Sequence, residues 1–230
     1  MRLLTGTSGF AYKEWKGIFY PVDIKAADML GYYASQFPTV EINNTFYRMP
    51  NPSVVAGWAD QVPDGFTFVL KASQKITHFK RLKDAGDEID YFANVARGLG
   101  EHLGPILVQL PPNMKRDDDR LATFLWAAPD DLRYAFEFRN DAWLVDDVYD
   151  ILRAHDAALV IAHDEESETP LAATASWGYA RLRKVAYEPG EVAAWAGRLK
   201  AQPWRELFVF FKHEDGGTGP GLAREFIAAF

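Results

Sequence analysis

The chain contains no cysteine among its 230 residues. Disulfide bridges, zinc–thiolate sites, iron–sulfur clusters and a thiol nucleophile are therefore excluded. The sequence also has no P-loop, and the glycines of "GTSGF" (6–10) lack the G-x-G-x-x-G spacing of dinucleotide-binding folds. Nothing in the sequence thus indicates a nucleotide cofactor held by a glycine-rich turn.

Long apolar runs are missing as well, since no stretch approaches the 18 apolar residues of a membrane-spanning helix. The first ten residues, "MRLLTGTSGF", lack the apolar core and cleavage pattern of a signal peptide. We therefore expect a cytoplasmic protein without a membrane partner. Acidic residues outnumber basic ones by 32 to 25, and the resulting net charge of −7 disfavours a surface for long nucleic acid. A small basic pocket is compatible with that balance.

What the sequence does contain is a regular alternation of short apolar runs and helix-length segments, which is typical of βα units and a parallel sheet. The predicted strands are 2–8, 39–43, 66–72, 105–110, 134–139, 158–163, 179–183 and 207–212. The predicted helices are 26–37, 52–62, 88–99, 118–128, 146–156, 191–201 and 220–230. The sixth connection, 164–178, carries Pro170 and Gly178 and is predicted to be an irregular loop.

Eight strands with helical crossovers in 230 residues predict an α/β fold, a (β/α)8 TIM-like barrel of parallel strands that forms a single domain over 1–230. A doubly wound open sheet is the competing architecture. In a barrel, chemistry takes place at the carboxyl ends of the strands, where the βα loops surround a packed interior. The polar residues near the strand ends are therefore the candidates for a site.

The stretch "RYAFEFRNDAWL" (133–144) shows the pattern that locates these candidates. Because side chains alternate between the two faces of a strand, Glu137 and Arg139 share a face opposite Phe136 and Phe138. The same alternation in other strands predicts a polar set that points inward at the barrel mouth: Glu41, Lys71, Gln109, Glu137 and Arg139. These charges could instead form a paired network that only plugs the barrel end. The cost of burying charges favours a functional site.

Aromatic residues are concentrated in the loops 8–21 and 44–50, which follow the first two predicted strands. They are Phe10, Tyr12, Trp15, Phe46 and Tyr47, and Trp143 and Trp177 come from other loops. Aromatic walls suit a sugar ring, a base or another planar group. The alternative is that these side chains anchor small satellite cores beneath long loops.

Histidines are few, and His78, His163 and His213 are the ones that follow predicted strands. Together with Glu41, Glu137 and Asp164 they could bind a divalent metal, but the spacing of a metal motif is absent, so we predict neither metal nor cofactor. Cations are more numerous at the strand ends, namely Lys71, Lys75, Arg139, Arg183 and Lys212. Such cations, and the glycine-rich turn before the last helix (213–226), are typical of sites for phosphate or carboxylate.

Several blocks of the sequence, in order, resemble the YecE-like family known as domain of unknown function 72. They are "GTSGFAYKEWKGIFYP", "VEINNTFYRMP", "FVLKASQKITH", "GPILVQLPPN", "AFEFRNDAWL" and "FVFFKHEDGG", and they span nearly the whole chain. The resemblance implies a (β/α)8-like barrel and no settled activity. Residues that match the family pattern are Glu41, Asn43, Phe46, Tyr47, Lys71, His78, Gln109, Glu137, Arg139 and Trp143. Lys212, His213 and the seventh-strand segment "SWGYARLRK" depart from it.

The leading hypothesis is an enzyme of hydrolase or isomerase type that acts on a small anionic or polyhydroxylated molecule. Glu41 or Glu137 would be the general acid or base, and Lys71 and Arg139 would stabilise negative charge. The predicted substrate-binding residues are Asn43, Phe46, Tyr47, His78, Gln109, Trp143, His163 and Lys212. The alternative is a non-catalytic module that binds an anionic metabolite or a nucleic-acid end, and the sequence makes no prediction of oligomeric state.

Overall fold

A computed structural model of the protein describes residues 1–212 and 216–230. In these residues eight strands form one sheet: β1 Arg2–Thr7, β2 Thr39–Ile42, β3 Thr67–Lys71, β4 Leu103–Gln109, β5 Tyr134–Glu137, β6 Ala158–His163, β7 Trp177–Leu182 and β8 Glu206–Phe211. The order β1-β8-β7-β6-β5-β4-β3-β2 contains only parallel ladders. The sheet curls until β1 and β2 meet at an isolated parallel bridge between Ser8 and Glu41. The predicted (β/α)8 barrel is confirmed, and the open sheet is wrong.

The described part of the chain places seven α-helices around the barrel: α1 Met29–Ala34, α2 Pro52–Ala59, α3 Gly86–Ala96, α4 Asp118–Ala127, α5 Asp146–Ala154, α6 Glu191–Lys200 and α7 Thr218–Ala229. Each overlaps a segment that the sequence predicts to be helical, although α3 and α7 begin two residues before the predicted segments 88–99 and 220–230. The connection between β6 and β7, fully described from 164 to 176, contains no helix, as predicted from Pro170, although Gly178, the other basis of that prediction, belongs to β7. No helix within 1–212 or 216–230 is long and apolar enough to cross a membrane.

Alternation along the strands separates two apolar layers. Inside the barrel lie Leu4, Val69, Leu107, Ala135, Ala158, Val160, Trp177, Tyr179, Phe208 and Phe210. The opposite faces of the strands pack against the helices in a larger outer layer. Two residues beyond Val69, Leu107 and Ala135, the inward positions carry polar side chains. The barrel therefore has an apolar interior and a polar mouth.

The barrel closes at β1 and β2 through a side chain as well as through the backbone. The Thr7 N–H donates a hydrogen bond to the Tyr33 hydroxyl at 2.8 Å, and that hydroxyl donates to the Thr39 carbonyl at 3.1 Å. Gly6 makes this approach possible, because a Cβ atom there would lie 2.1 Å from the Thr39 oxygen. The closure brings Ser8 at the end of β1 beside Glu41 of β2.

Candidate functional site

A buried arginine links three strands at the barrel mouth. Arg181, from β7, is only 4% exposed. Its Nη2 donates to Glu41 Oε1 of β2 at 2.8 Å, and its Nη1 donates to Glu137 Oε2 of β5 at 2.5 Å. The same Nη1 lies 3.5 Å from Gln109 Oε1. One guanidinium thus forms ion pairs with two carboxylates, one from β2 and one from β5.

Glu41 accepts hydrogen bonds from several directions in addition to Arg181. Ser8 Oγ donates to its Oε1 at 2.8 Å, Asn43 Nδ2 donates to the same atom at 3.0 Å, and the Tyr179 hydroxyl donates to Oε2 at 2.6 Å. Burial alone would raise the pKa of Glu41, but the Arg181 charge and the hydrogen bonds from Tyr179 and Ser8 outweigh it. The pKa of this carboxyl therefore lies below its ordinary value, and Glu41 is held as an anion.

Glu137 has a similar environment on the other side of Arg181. Arg139 Nε donates to its Oε1 at 2.9 Å, and Arg183 Nη1 lies 3.6 Å from the same oxygen. Burial raises the pKa of Glu137, whereas the charges of Arg181 and Arg139 lower it and dominate. Glu137 and Arg139 do share the inner face, as the alternation in "RYAFEFR" predicts.

A cavity of about 490 Å³ lies above this buried layer. Its lining consists of Ser8, Tyr12, Asn43, Tyr47, Lys71, Gln109, Arg139, Arg181, Arg183 and Lys212. Five of these described lining residues are cations, and none of them is a carboxylate. We refer to this space as the cationic cavity. Two of its positive groups lie on β3 and β7, and the other three follow β5, β7 and β8 within two residues, although the chain as a whole has a net charge of −7.

Lys71, the last residue of β3, has an unusual position in the cationic cavity. Its Nζ lies 4.3 Å from the centroid of the Phe46 ring. Within 1–212 and 216–230 no carboxylate oxygen lies within the 4.0 Å limit of an ion pair with it. Burial, followed by the repulsion of Arg181, lowers the pKa of Lys71 to about 8. The amine therefore exchanges its proton close to neutral pH.

The loop after β2 holds the aromatic partner of Lys71 in place. Thr45 Oγ1 donates to the Lys71 carbonyl at 2.7 Å, which ties this loop to the end of β3. The Phe46 ring meets Tyr47 and His78 edge to face, with centroid distances of 5.0 and 4.9 Å. Tyr47 lines the cationic cavity, whereas His78 contacts Phe46 and is absent from the described lining. Burial, with Lys71 and Arg139, lowers the pKa of His78.

Two predicted substrate-binding residues lie elsewhere. The Trp143 side chain is fully buried, donates from Nε1 to the Met114 carbonyl at 2.9 Å and stacks on Phe138 at 5.0 Å. His163 ends β6 on the outer face, where its ring packs 5.0 Å from Trp195 of α6. Both predictions need correction, because Trp143 anchors the core and His163 fills the space between β6 and α6.

Other residues predicted at the barrel mouth also fall into two groups, those that line the cationic cavity and those that lie elsewhere. Trp15 is buried in the outer layer, so the satellite-core interpretation fits it, whereas Tyr12 and Tyr47 line the cationic cavity. Trp177 begins β7 and lies inside the barrel, at the end away from the mouth, so it fits neither interpretation. Lys75 points away from the cavity and pairs with Glu88 at 3.0 Å. His213 and part of the predicted glycine-rich anion site lie outside the described residues. Within 1–212 and 216–230 no three His, Asp or Glu side chains converge as metal ligands would.

Three residues that donate hydrogen bonds to Glu41, namely Ser8, Tyr179 and Arg181, are not among the predicted catalytic or substrate-binding residues. Arg181 shares the inner face of β7 with Tyr179, and their alternation in "YARLR" is a signal that was available. Their partner Glu41 lies 138 and 140 residues away, respectively, in the chain. Local patterns cannot reveal such a pairing.

These features define a parallel (β/α)8-barrel protein with a polar cavity at the carboxyl end of its strands. The model of the family described as protein of unknown function DUF72 matches residues 4–230. The chain belongs to this family.

Known proteins similar to the chain agree with this assignment. The UPF0759 protein YecE of Escherichia coli K12 is 33% identical over 109 residues, which is 47% of this chain and 40% of YecE. The matched part thus spans well under half of the length of that relative. The UPF0759 protein YunF of Bacillus subtilis is 24% identical over 90% of this chain and 88% of YunF. The crystal structure of a DUF72 family protein from Thermotoga maritima has a TM-score of 0.85 at 24% identity, covering 99% of this chain and 98% of the other. That structural likeness supports the fold alone.

Proposed function

We propose that the protein is an enzyme that binds a small anionic, hydroxyl-bearing substrate in the cationic cavity and uses Lys71 to transfer a proton. The observation that carries this proposal is the lining itself, in which five cations converge without a carboxylate among the described lining residues. Guanidinium and ammonium groups in this arrangement are suited to phosphate or carboxylate oxygens.

The charge balance supports an anionic ligand. Glu41 and Glu137 lie beneath the cavity, and each is already paired with Arg181. Among residues 1–212 and 216–230, the cavity lining and this buried layer together therefore hold five cations and two carboxylates. Like charges held close together repel one another, and an anion that enters between them relieves this repulsion.

Lys71 is better suited to proton transfer than either carboxylate. General acid–base catalysis is most efficient when the pKa of the group is near the working pH, and the pKa of Lys71 is about 8. Glu41 and Glu137 have lowered pKa values, and both of their oxygens already accept hydrogen bonds or ion pairs. In this proposal the carboxylates position Arg181 and Arg139, and Lys71 takes the role first assigned to them. Isomerisation and hydrolysis both require such a proton transfer.

A second candidate is a non-catalytic module that captures an anionic metabolite. The saturation of both carboxylates favours it, because oxygens that already accept hydrogen bonds and ion pairs are not free to take a proton from a ligand. The two candidates predict the same binding but differ in turnover. A chemically altered ligand supports the enzyme, and binding without alteration supports the module.

The experiment begins with thermal-shift screening of phosphate, sugar phosphates, hydroxy acids and dicarboxylates, because a ligand selective for the folded state raises the melting temperature. Hits are then followed for turnover by NMR. Lys71→Met is expected to lower turnover by about 10²-fold or more. The matched control Lys83→Met changes an exposed lysine outside the cavity lining and should behave as wild type. The proposal fails if no anion stabilises the wild type, or if Lys71→Met retains full turnover.

A further inference from the structure

A second cavity of about 300 Å³ lies beside the cationic cavity. Its walls include Phe10 and Tyr12 from the loop after β1, Ile42 at the end of β2 and Trp58 of α2. We call it the apolar compartment, because carbon-rich side chains dominate these walls. The Trp58 ring is stacked on Phe68 with a centroid distance of 6.0 Å, which fixes one wall.

The two spaces share a wall. Tyr12 and Asn43 line both of them. Tyr12 is fixed there because its hydroxyl donates to the Ser8 carbonyl at 2.7 Å, and Asn43 is fixed because its Nδ2 donates to Glu41 at 3.0 Å. Glycine is required at position 9 for two reasons. Its φ is 97°, and a Cβ atom there would lie 2.2 Å from the Tyr12 hydroxyl oxygen.

From this geometry we infer that the ligand has two parts: an anionic group that occupies the cationic cavity, and a flat apolar ring that occupies the apolar compartment. The inference rests on the proposed function for its anionic half. It adds a substrate class, namely phosphorylated or carboxylated compounds that carry a planar ring.

The physical basis is the complementary chemistry of the two spaces. Phe10, Tyr12 and Trp58 offer aromatic surface, against which planar rings pack favourably in offset or edge-to-face geometry. The Asn43 amide lies where the two spaces meet, and its oxygen can accept a hydrogen bond from a hydroxyl or N–H between the two parts of the ligand. A purely anionic ligand would leave this aromatic surface uncovered.

The test compares the affinity of matched phosphates by calorimetry: inorganic phosphate, methyl phosphate, phenyl phosphate and 2-phenylethyl phosphate, with acetate and phenylacetate as a carboxylate series. The two phenyl-bearing phosphates allow for different distances between anion and ring. At least one of them is expected to bind about tenfold or more tightly than methyl phosphate, since burying a ring adds a large apolar contact area.

Variants then show which residues produce the higher affinity of the ring-bearing phosphate. Trp58→Ala should abolish the advantage of the ring-bearing ligand and leave methyl phosphate affinity unchanged, while Trp58→Phe should retain most of it. Trp126→Ala removes a tryptophan that is 84% exposed and does not line either cavity, so it should change nothing. Should Trp58→Ala fail to fold, Phe10→Ala supplies the same comparison from another lining residue.

The outcomes separate this inference from the proposed function. Equal affinities of methyl phosphate and both ring-bearing phosphates would overturn the two-part ligand while leaving the anion site intact. An advantage that survives Trp58→Ala and Phe10→Ala would overturn it as well, because the ring would then bind elsewhere. If no phosphate or carboxylate of the series binds, the proposed anion site and the two-part ligand both fall.

Discussion

Arg181 and Glu41 lie 140 residues apart in the chain and form a buried ion pair with an N–O distance of 2.8 Å. Their side chains are 5% and 0% exposed, and the same guanidinium also binds Glu137. Burying ions is costly unless they are paired and hydrogen-bonded, and both carboxylates meet these conditions, although Arg181 Nε has no hydrogen-bond partner among the described residues. Arg181 is therefore the shared partner that keeps both buried carboxylates ionised.

Removing this arginine should destabilise the fold strongly. Arg181→Met leaves Glu41 and Glu137 buried without their shared partner, and we expect the free energy of unfolding to fall by about 3–5 kcal/mol in urea denaturation. Arg198→Met, which breaks the exposed pair with Glu168, is the matched control and should cost less than about 1 kcal/mol. Equal losses for the two variants would contradict the role of Arg181.

The two carboxylates should make stability depend on acidic pH. Their pKa values are lowered in the folded protein from an ordinary value of 4.5, so their contribution is complete above that value and is lost as the pH falls below it. The urea midpoint of the wild type should therefore decrease between about pH 5 and pH 3. The double variant Glu41→Gln/Glu137→Gln should show a flatter profile over this interval. A double variant with the full wild-type slope would assign the effect to other groups.

The charged form of Lys71 should lower the stability of the fold while it strengthens anion binding. Its folded pKa of about 8 lies below the ordinary 10.5, so the unfolded chain binds more protons between these values and stability rises with pH across them. Lys71→Met removes the penalised ammonium and should increase the free energy of unfolding at pH 7 by about 1–3 kcal/mol, while it weakens anion binding.

The measurement is urea denaturation of both proteins at pH 7 and about pH 9.5, where the difference should shrink because the folded lysine is then mostly neutral. An NMR titration of the Lys71 side chain gives its pKa directly. A value at or above the ordinary 10.5 would remove the basis of the proton-transfer role.

The Tyr33 hydroxyl, which bridges β1 and β2 at the barrel closure, should contribute measurably to stability. Tyr33→Phe leaves the buried Thr7 N–H and Thr39 carbonyl without the bridging oxygen, and we expect a loss of about 1–3 kcal/mol. Tyr91→Phe, at a side chain that is 61% exposed, should stay within about 0.5 kcal/mol of the wild type. Thermal unfolding of the two variants side by side makes the comparison, and equal melting temperatures would argue against a closure that depends on Tyr33.

Much of the site follows from alternation in the sequence. The inward positions of Lys71, Gln109 and Glu137 could be predicted because each lies two residues beyond an apolar residue of the barrel interior. That of Glu41 could be predicted because it shares a strand face with Thr39. The eight strands could be predicted because the apolar runs recur at regular intervals.

The errors have equally definite causes. His163 is adjacent to a strand end, but alternation alone does not say which of two faces points inward until a neighbour such as Val160 is placed in the interior. Trp143 lies in a loop without periodicity, where a buried anchor and a ligand contact look alike. The pairing of Arg181 with Glu41 arises only when the barrel closes and brings β2 and β7 together at its mouth.

At the barrel mouth, the residues that attract an anion and the aromatic residues that shape the cavity occupy different parts of the fold. Arg181 and Lys71 belong to strands, and the other cavity cations follow a strand end within two residues, whereas Tyr12 and Tyr47 stand farther out on connecting segments. Exchanging the latter would alter which molecules fit without disturbing the electrical attraction that draws them in. Diversification of ligand preference could therefore proceed through surface loops alone, at little risk to folding.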